Sequence, residues 1–248
     1  MDKAWFQRWF GETYKRLYPH RDERQAGAQA RFVIRALPVT PEWRILDVGC
    51  GAGRHLAWIR KHGIPHCLGL DLSLSLLRDA KSVGESVACA DMRRIPFRPL
   101  SFDLVTSFFT SFGYFATFEE DLEALAQMVS LLKPGGYLFL DLINKGHLLK
   151  HLVPEDCRRL EGSDVVQRRR IEGPSDGPGT VVVKEIEIRH KDGNPEYHQE
   201  RVRLYGREEM PALASRFGLS LQSSYGDENG GAYCGDASPR MALLYRKE

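Results

Sequence analysis

The sequence predicts an α/β protein: a three-layer αβα sandwich with a seven-stranded sheet, an antiparallel terminal hairpin and a three-strand antiparallel insertion. Three observations predict it. Between Arg44 and Ile143, short apolar strands alternate with amphipathic helices, and strands that are apolar throughout belong to a parallel sheet covered on both faces. A glycine-rich turn joins the first strand of that series to its first helix. After Asn144 the alternation gives way to three β segments separated by turn-forming residues, as in an antiparallel meander.

Taken in order, the opening segment places Trp5, Phe6, Trp9 and Phe10 at i, i+1, i+4 and i+5, one stripe of an amphipathic helix. Four large aromatics need something to cover. Pro19 interrupts this segment, and a second helix is expected over 22–36, stopped by Pro38 and Pro41. Strands follow at 44–48, 67–71, 86–91, 102–109 and 137–143. Between them run helices HLAWIRKHG, closed by Gly63, LSLLRDAK, and 119–133, ended by Pro134, Gly135 and Gly136.

The three β segments are RRLEGSDVVQRRRIEG, TVVVKEIEIRH and EYHQERVRLY, separated by GPSDGPG and KDGNP. About 50 residues make a poor independent core. The expectation is therefore one domain over 1–248, with a helical cover at 1–37 and a β insertion or lid at 145–206. REEMPALASRFG reads as a helix with Pro211 near its first turn, and LSLQSSYG and 240–247 read as strands. No helix lies between those last two strands, so they can pair antiparallel.

Composition narrows the function classes. Hydrophobic residues make up 42% and charged residues 27% of 248, a globular balance, and no apolar run approaches the ~20 residues that cross a bilayer. The opening MDKAWFQRWF interleaves charges with aromatics instead of presenting a secretory signal, so a cytoplasmic protein without membrane partners is expected. Five cysteines, scattered and without a CxxC pair, argue against a disulfide framework and against zinc. A net charge of +2 does not demand a polyanionic partner. The one basic run, Arg168 to Arg170, lies in a strand whose neighbours point to opposite faces, so nucleic acid is disfavoured.

The informative segment is Asp47-Val48-Gly49-Cys50-Gly51-Ala52-Gly53-Arg54. Glycines there let the backbone turn tightly against a ligand, and the free N–H groups of the helix start attract an anion. A dinucleotide fingerprint needs a third glycine at position 54, which is Arg54. The spacing is G-x-G-x-G instead.

A strand ending in an acidic residue and followed by G-x-G-x-G resembles the first motif of the class I S-adenosylmethionine-dependent methyltransferases. The resemblance covers roughly 40–144 and 206–248, including KPGG before the fifth strand, and implies a Rossmann-like sandwich with S-adenosylmethionine as cofactor. It implies that Asp47, Gly49, Cys50 and Gly51 form the loop, with Gly49 and Gly51 against the methionyl part. Asp71 would accept hydrogen bonds from both ribose hydroxyls, with Leu72 against the adenine face. Asp91 and Met92 would read the adenine amino group, and the backbone at Phe108 would flank the methyl-bearing sulfur. Each acid stands at the C-terminal end of a successive strand, the edge where ligands of open α/β sheets bind.

Methyl transfer is an in-line displacement that needs an oriented acceptor, exclusion of water and a destination for any proton released. Thr110-Ser111-Phe112-Gly113-Tyr114 lacks the Asn/Asp-Pro-Pro-Tyr motif of DNA adenine and protein glutamine methyltransferases. The carboxylates of catechol-type metal sites are also missing, so no metal is expected. The insertion and the aromatic helix resemble the lids of small-molecule methyltransferases, amino-sugar and glycine or sarcosine N-methyltransferases among them.

Candidate catalytic groups are Tyr14, Tyr18, His20 and Tyr114, with Arg203, Tyr205 and Tyr233 as further acceptor-side candidates. Tyr14 and Tyr18 share a helix face and can equally be core anchors. His20 titrates near working pH, and Arg21 is a candidate partner of the methionyl carboxylate; both can equally be solvated surface. The expected activity is methylation of a nitrogen or oxygen on a small molecule. An RNA or protein methyltransferase, a non-catalytic binding protein and an NAD-dependent oxidoreductase are the alternatives. A homodimer is an open option, and the acceptor's identity is not in the sequence.

Overall fold

The computed structural model describes residues 5–18, 23–175, 177–191 and 193–248. The chain enters through helices α1 (Trp5–Trp9), α2 (Glu12–Leu17) and α3 (Glu23–Arg35). Strand β1 (Ile45–Val48) is buried along its whole length, as a central parallel strand must be. Next come α4 (Arg54–Lys61), β2 (Cys67–Asp71), α5 (Leu74–Ser82), β3 (Val87–Cys89) and β4 (Phe102–Ser107). Helix α6 (Phe118–Leu131) follows, then β5 (Leu132–Ile143), α7 (Lys145–His151), β6 (Glu155–Leu160), β7 (Ser163–Glu172), β8 (Val181–Arg189) and β9 (Glu196–Arg203). Helix α8 (Glu209–Ser215), β10 (Leu219–Tyr225) and β11 (Arg240–Lys247) close the chain.

The main sheet has seven strands in the order β10-β11-β5-β4-β1-β2-β3. β1 to β5 run parallel, while β11 is antiparallel to both β5 and β10. The chain builds outward from β1 to β3 and then returns to place β4 on the other side of β1. That reversal opens a crevice above the C-terminal ends of β1 and β4. Helix starts aim at it: Ser73 caps α5 by accepting from the Leu76 N–H at 3.2 Å, and Thr117 with Glu120 forms a capping box on α6.

The insertion differs from expectation in two ways. It has four strands, in the order β6-β7-β8-β9, where three were expected. The first segment folds back on itself at Glu161 and Gly162, whose φ angles are +52° and +84°. Two positive φ values make the tight turn that matches strand twist, but Glu-Gly lacks the Asn-Gly or Asp-Gly lettering that announces it. The insertion also opens with an unforeseen short helix, α7. Outside the insertion, β5 begins at Leu132: KPGG, with Gly135 at φ +74°, is absorbed as a bulge by a register shift where Phe102 pairs Leu132 and Leu104 pairs Tyr137.

One face of this second sheet is the floor for the opening aromatics. Val165, Ile186 and Ile188 are buried with Trp9, Leu17 and Tyr18, and Trp5, Phe10 and Tyr14 pack against them. Trp9 Nε1 and the Tyr18 hydroxyl both donate to Glu200 Oε1 at 2.8 Å, and Lys184 donates to the Tyr18 hydroxyl and pairs with Glu200 at 2.5 Å. Arg168, Arg169 and Arg170 pair with Glu155, Glu187, Asp156, Glu172 and Glu185.

Asp141, in β5, ties distant parts of the chain together. Its Oδ2 accepts from the Phe109 N–H at 2.9 Å and from Gln29 Nε2 at 3.1 Å, while Oδ1 accepts from Arg240 Nε at 2.8 Å. Phe109 and Thr110 sit at φ +54° and +60°, which costs about 1–3 kcal/mol per residue unless the surroundings hold it. The Thr110 N–H donates to the Asp141 carbonyl at 2.8 Å, and Arg240 donates to Thr110 Oγ1 at 2.8 Å. Asp141 is 2% exposed, so removing its carboxylate strands a guanidinium and two N–H donors.

Asp141→Ala should therefore lower the unfolding free energy by about 3–5 kcal/mol, the cost of leaving one member of a buried pair unmatched. Urea denaturation checks it. An unchanged midpoint would mean that the Phe109–Thr110 turn holds without the carboxylate.

Candidate functional site

A cavity of about 360 Å³ opens at the C-terminal edge of the sheet, above the crevice between β1 and β4. Its floor is Gly49 to Ala52, its sides are Asp71 to Ser73, Ala90 to Met92, Phe108, Phe109 and Ser111, and its roof includes Phe6, Phe10, Tyr14, Tyr18 and Tyr114. The size and the apolar lining with few converging polar groups are those of a small-ligand site.

The floor is shaped by backbone. Gly49 and Gly51 have φ +78° and +54°, and a Cβ on Gly49 would lie 2.5 Å from the Ser111 side chain. Only glycine lets the loop pass there. Gly49 N–H and Cys50 N–H donate to the Leu70 carbonyl at 2.7 and 3.0 Å, which pins the turn to β2. The Cys50 thiol is buried, and burial raises its pKa well above the ordinary value, so it is a packing group.

Asp71 ends β2 with both carboxylate oxygens already oriented. Oδ2 accepts from the Gly51 N–H and Oδ1 from the Ser73 N–H, each at 2.8 Å. A carboxylate oxygen has two lone-pair sites, so each keeps one toward the cavity, an arrangement that suits two neighbouring hydroxyls. Burial raises its pKa, against the backbone donors that lower it.

Asp91 is held more tightly. Burial works against its charged form, but Arg93 outweighs that and leaves its pKa lowered: Oδ1 accepts from the Arg93 N–H and Nε at 2.9 and 3.0 Å, and Oδ2 from Nη2 at 2.6 Å. One lone-pair site remains on Oδ2. Arg93 is itself braced by Glu120 and lies 4.5 Å over the Phe115 ring.

The roof is a chain of rings. Phe10 stacks on Tyr114 at 5.7 Å and meets Tyr14 edge-on at 4.9 Å, Tyr14 meets Tyr18 at 5.0 Å, and Trp5 meets Tyr114 at 5.1 Å. Ser73 fastens this roof to the floor by donating from Oγ to the Phe10 carbonyl at 2.6 Å. The Tyr18 hydroxyl has both its donor and an acceptor site engaged, by Glu200 and Lys184, which suits an anchor better than a proton acceptor.

Of the residues singled out from the sequence, the cavity brings together Tyr14, Tyr18, Tyr114, Gly49, Cys50, Gly51, Asp71, Leu72, Asp91, Met92 and Phe108. His20 and Arg21 lie outside the described residues. Asp47 does not line the cavity: it is 1% exposed, and its Oδ1 accepts from Thr106 Oγ1 at 3.0 Å behind the loop. Arg203 and Tyr205 stand elsewhere, both donating to Asp121 Oδ2 at 2.8 and 2.7 Å, and Tyr233 donates to Asn144 at 3.4 Å. Sequence reasoning missed Lys15, Arg54, His55, Ser73 and Ser111, all in the lining. His55 had a signal, a histidine in the first turn of the helix that the glycine loop opens. Among the described residues no group of three His, Cys, Asp or Glu side chains could hold a metal ion, and no helix is long and apolar enough to cross a membrane.

Comparison with known proteins agrees with this geometry. Residues 46–140 match the family model described as a methyltransferase domain. The chain is 30% identical over 129 residues to the probable tRNA methyltransferase 9B of Bos taurus, covering 52% of this chain and 28% of that one. It spans less than half the length of the curated relatives it matches. Among solved structures, an S-adenosylmethionine-dependent methyltransferase from Clostridium acetobutylicum superposes with a TM-score of 0.76 at 17% identity, over 95% of this chain and 96% of that one. A SAM-bound amino pentose methyltransferase from Micromonospora echinaspora superposes at 0.69 with 24% identity over 100% of both chains. These likenesses establish the fold.

Asp47 yields a pH prediction. Burial pushes its pKa up to about 7 from 3.8, against the Thr106 hydrogen bond that lowers it. The folded state then holds a proton that the unfolded state releases, so this group's contribution to stability falls as pH rises from about 4 to about 7 and stays low above. Asp47→Asn should gain on the wild type over that window by an amount on the order of 2–4 kcal/mol. Denaturant titrations at pH 4.5 and 8 measure it, and a stability difference independent of pH would show that Asp47 is ionised throughout.

Proposed function

We propose that the chain, whose residues 46–140 match the methyltransferase-domain model, is an S-adenosylmethionine-dependent methyltransferase acting on a nitrogen or oxygen of a small molecule. The observation that carries the small-molecule reading is the aromatic roof. It rests on the second sheet, is fastened to Ser73, and covers the cavity over the glycine loop.

When bound, S-adenosylmethionine supplies a methyl group carried on a sulfonium. The residues present fit it. Asp71 offers one lone pair from each oxygen to the two ribose hydroxyls, while Leu72 and Met92 flank the adenine and the last lone pair of Asp91 meets its amino group. Gly49 and Gly51 admit the methionyl part, and Arg54, at the helix start beside them, is a partner for its carboxylate in addition to Arg21. Phe108 borders the reacting centre. Asp47 acts from behind the loop, through Thr106, as a support and not as a contact.

The roof orients the acceptor and excludes water, the two tasks that an in-line displacement asks of a protein. Tyr14 and Tyr114 bring hydroxyls to the acceptor side, and Tyr18 serves chiefly as an anchor. The domain organisation proposed with it is one domain over 1–248, with 1–37 as a helical cover and 145–206 as an insertion or lid. The names of several relatives favour tRNA as the acceptor. Against it, the one basic run is matched by carboxylates, whereas phosphate binding draws on unmatched lysines and arginines.

Three outcomes test the proposal. S-adenosylhomocysteine should bind at micromolar levels by calorimetry and NAD weakly or not at all. Asp71→Ala should raise the dissociation constant at least tenfold, since charge-assisted hydrogen bonds are worth ~1.5–3 kcal/mol each. Comparable affinity for NAD, or an unchanged constant in the variant, would refute the reading of the loop. Removing residues 1–18 should abolish turnover while circular dichroism still reports the folded sheet; near wild-type turnover would reduce the aromatic helices to packing.

A further inference from the structure

His55 is buried, lines the cavity at the end of the glycine loop and has no part in the reading above. Its ring lies flat on Phe108, with centroids 4.0 Å apart and planes within 5°. Its Nε2 is 3.0 Å from Gln29 Oε1, and Gln29, also buried, points its amide nitrogen at Asp141 Oδ2, 3.1 Å away. Asp141 is paired with Arg240, and an ionised carboxylate only accepts. The Gln29 amide is thereby oriented: its NH₂ must face Asp141, so its oxygen faces His55. An amide oxygen cannot donate, so His55 must carry its proton on Nε2. Nδ1 is left as a bare acceptor, the ring's one remaining polar atom.

We propose that the Asp141–Gln29–His55 relay makes His55 a positioning residue, a neutral acceptor at Nδ1 for the ammonium of the methionyl part of the cofactor. This rests on the cofactor reading given above. The chemistry favours an N–H donor of positive charge, because an imidazolium would repel both an ammonium and a sulfonium. Burial, aided by Arg54, drives the His55 pKa down to about 3, which keeps the ring neutral at working pH. The stacking on Phe108 and the bond to Gln29 fix the ring plane before the ligand arrives, so little ordering remains to be done on binding.

The experiment combines a spectrum with a binding series. Imidazole ¹⁵N NMR on the ligand-free wild type should show the His55 resonances of a neutral ring protonated on Nε2 at pH 7, and the Nδ1 resonance should shift when S-adenosylhomocysteine is added. Protonation on Nδ1, or a charged ring, would overturn the relay. In calorimetry with S-adenosylhomocysteine, His55→Leu should lose at least tenfold in affinity. His55→Asn, whose amide oxygen can take the place of Nδ1, should recover most of it. Equal affinities for wild type and His55→Leu, or equal losses in both variants, would overturn the acceptor role. If the wild type itself fails to bind S-adenosylhomocysteine, the cofactor reading falls with the ligand half of this proposal, while the tautomer is still read directly from the spectrum.

Discussion

The carboxylate of Asp141 joins parts of the chain that are far apart in sequence: Gln29 in an opening helix, Phe109 after β4 and Arg240 in the last strand all donate to it. A buried carboxylate is tolerated only when its lone pairs are matched, and matching this one requires the helix, the turn and the terminal strand to dock together. The turn it holds carries Phe108 and Phe109 into the cavity wall, with Phe109 and Thr110 in a backbone conformation that neither residue type favours. The helix it holds aims Gln29 at His55. Stability and site geometry therefore share one anchor.

What could be read from the chain was what is local. Glycine spacing, the acids at strand ends and the alternation of strand with helix each occupy a few neighbouring residues, and they give the sheet, its order of elements and most of the cavity floor. The Glu161-Gly162 turn was local too, but its lettering is weak, and a hairpin was read as one strand. KPGG looked like a helix stop and became part of β5, because a neighbouring strand could absorb it as a register shift. The relay was not legible at all. Residues 29, 55, 141 and 240 meet only after three layers have packed, and a histidine on a helix face or an aspartate in a strand carries no sign of such a partner. Arg203 and Tyr205 show the reverse error: they looked like acceptor-side groups and are committed to Asp121.

The proposed preference for small acceptors rests on the aromatic cover. Trp5, Phe10 and Tyr14 would expose large apolar area if left in water, at ~25 cal/mol per Å², and the second sheet takes up that area through Val165, Ile186 and Ile188. The polar edges of the neighbouring Trp9 and Tyr18 rings are satisfied at Glu200 and Lys184. The cover is therefore attached by both kinds of contact, and Ser73 couples it to the strand end that carries Asp71. In this arrangement the aromatic cover is attached both to the second sheet and to the cavity wall.

The central claim is that this roofed cavity admits a metabolite and not a polymer. Incubation with methyl-labelled S-adenosylmethionine and a cell extract, separated into small molecules, RNA and protein before counting, tests it most directly. The account predicts label in the small-molecule fraction, on a nitrogen or oxygen that mass spectrometry locates. Label confined to RNA or protein would contradict it.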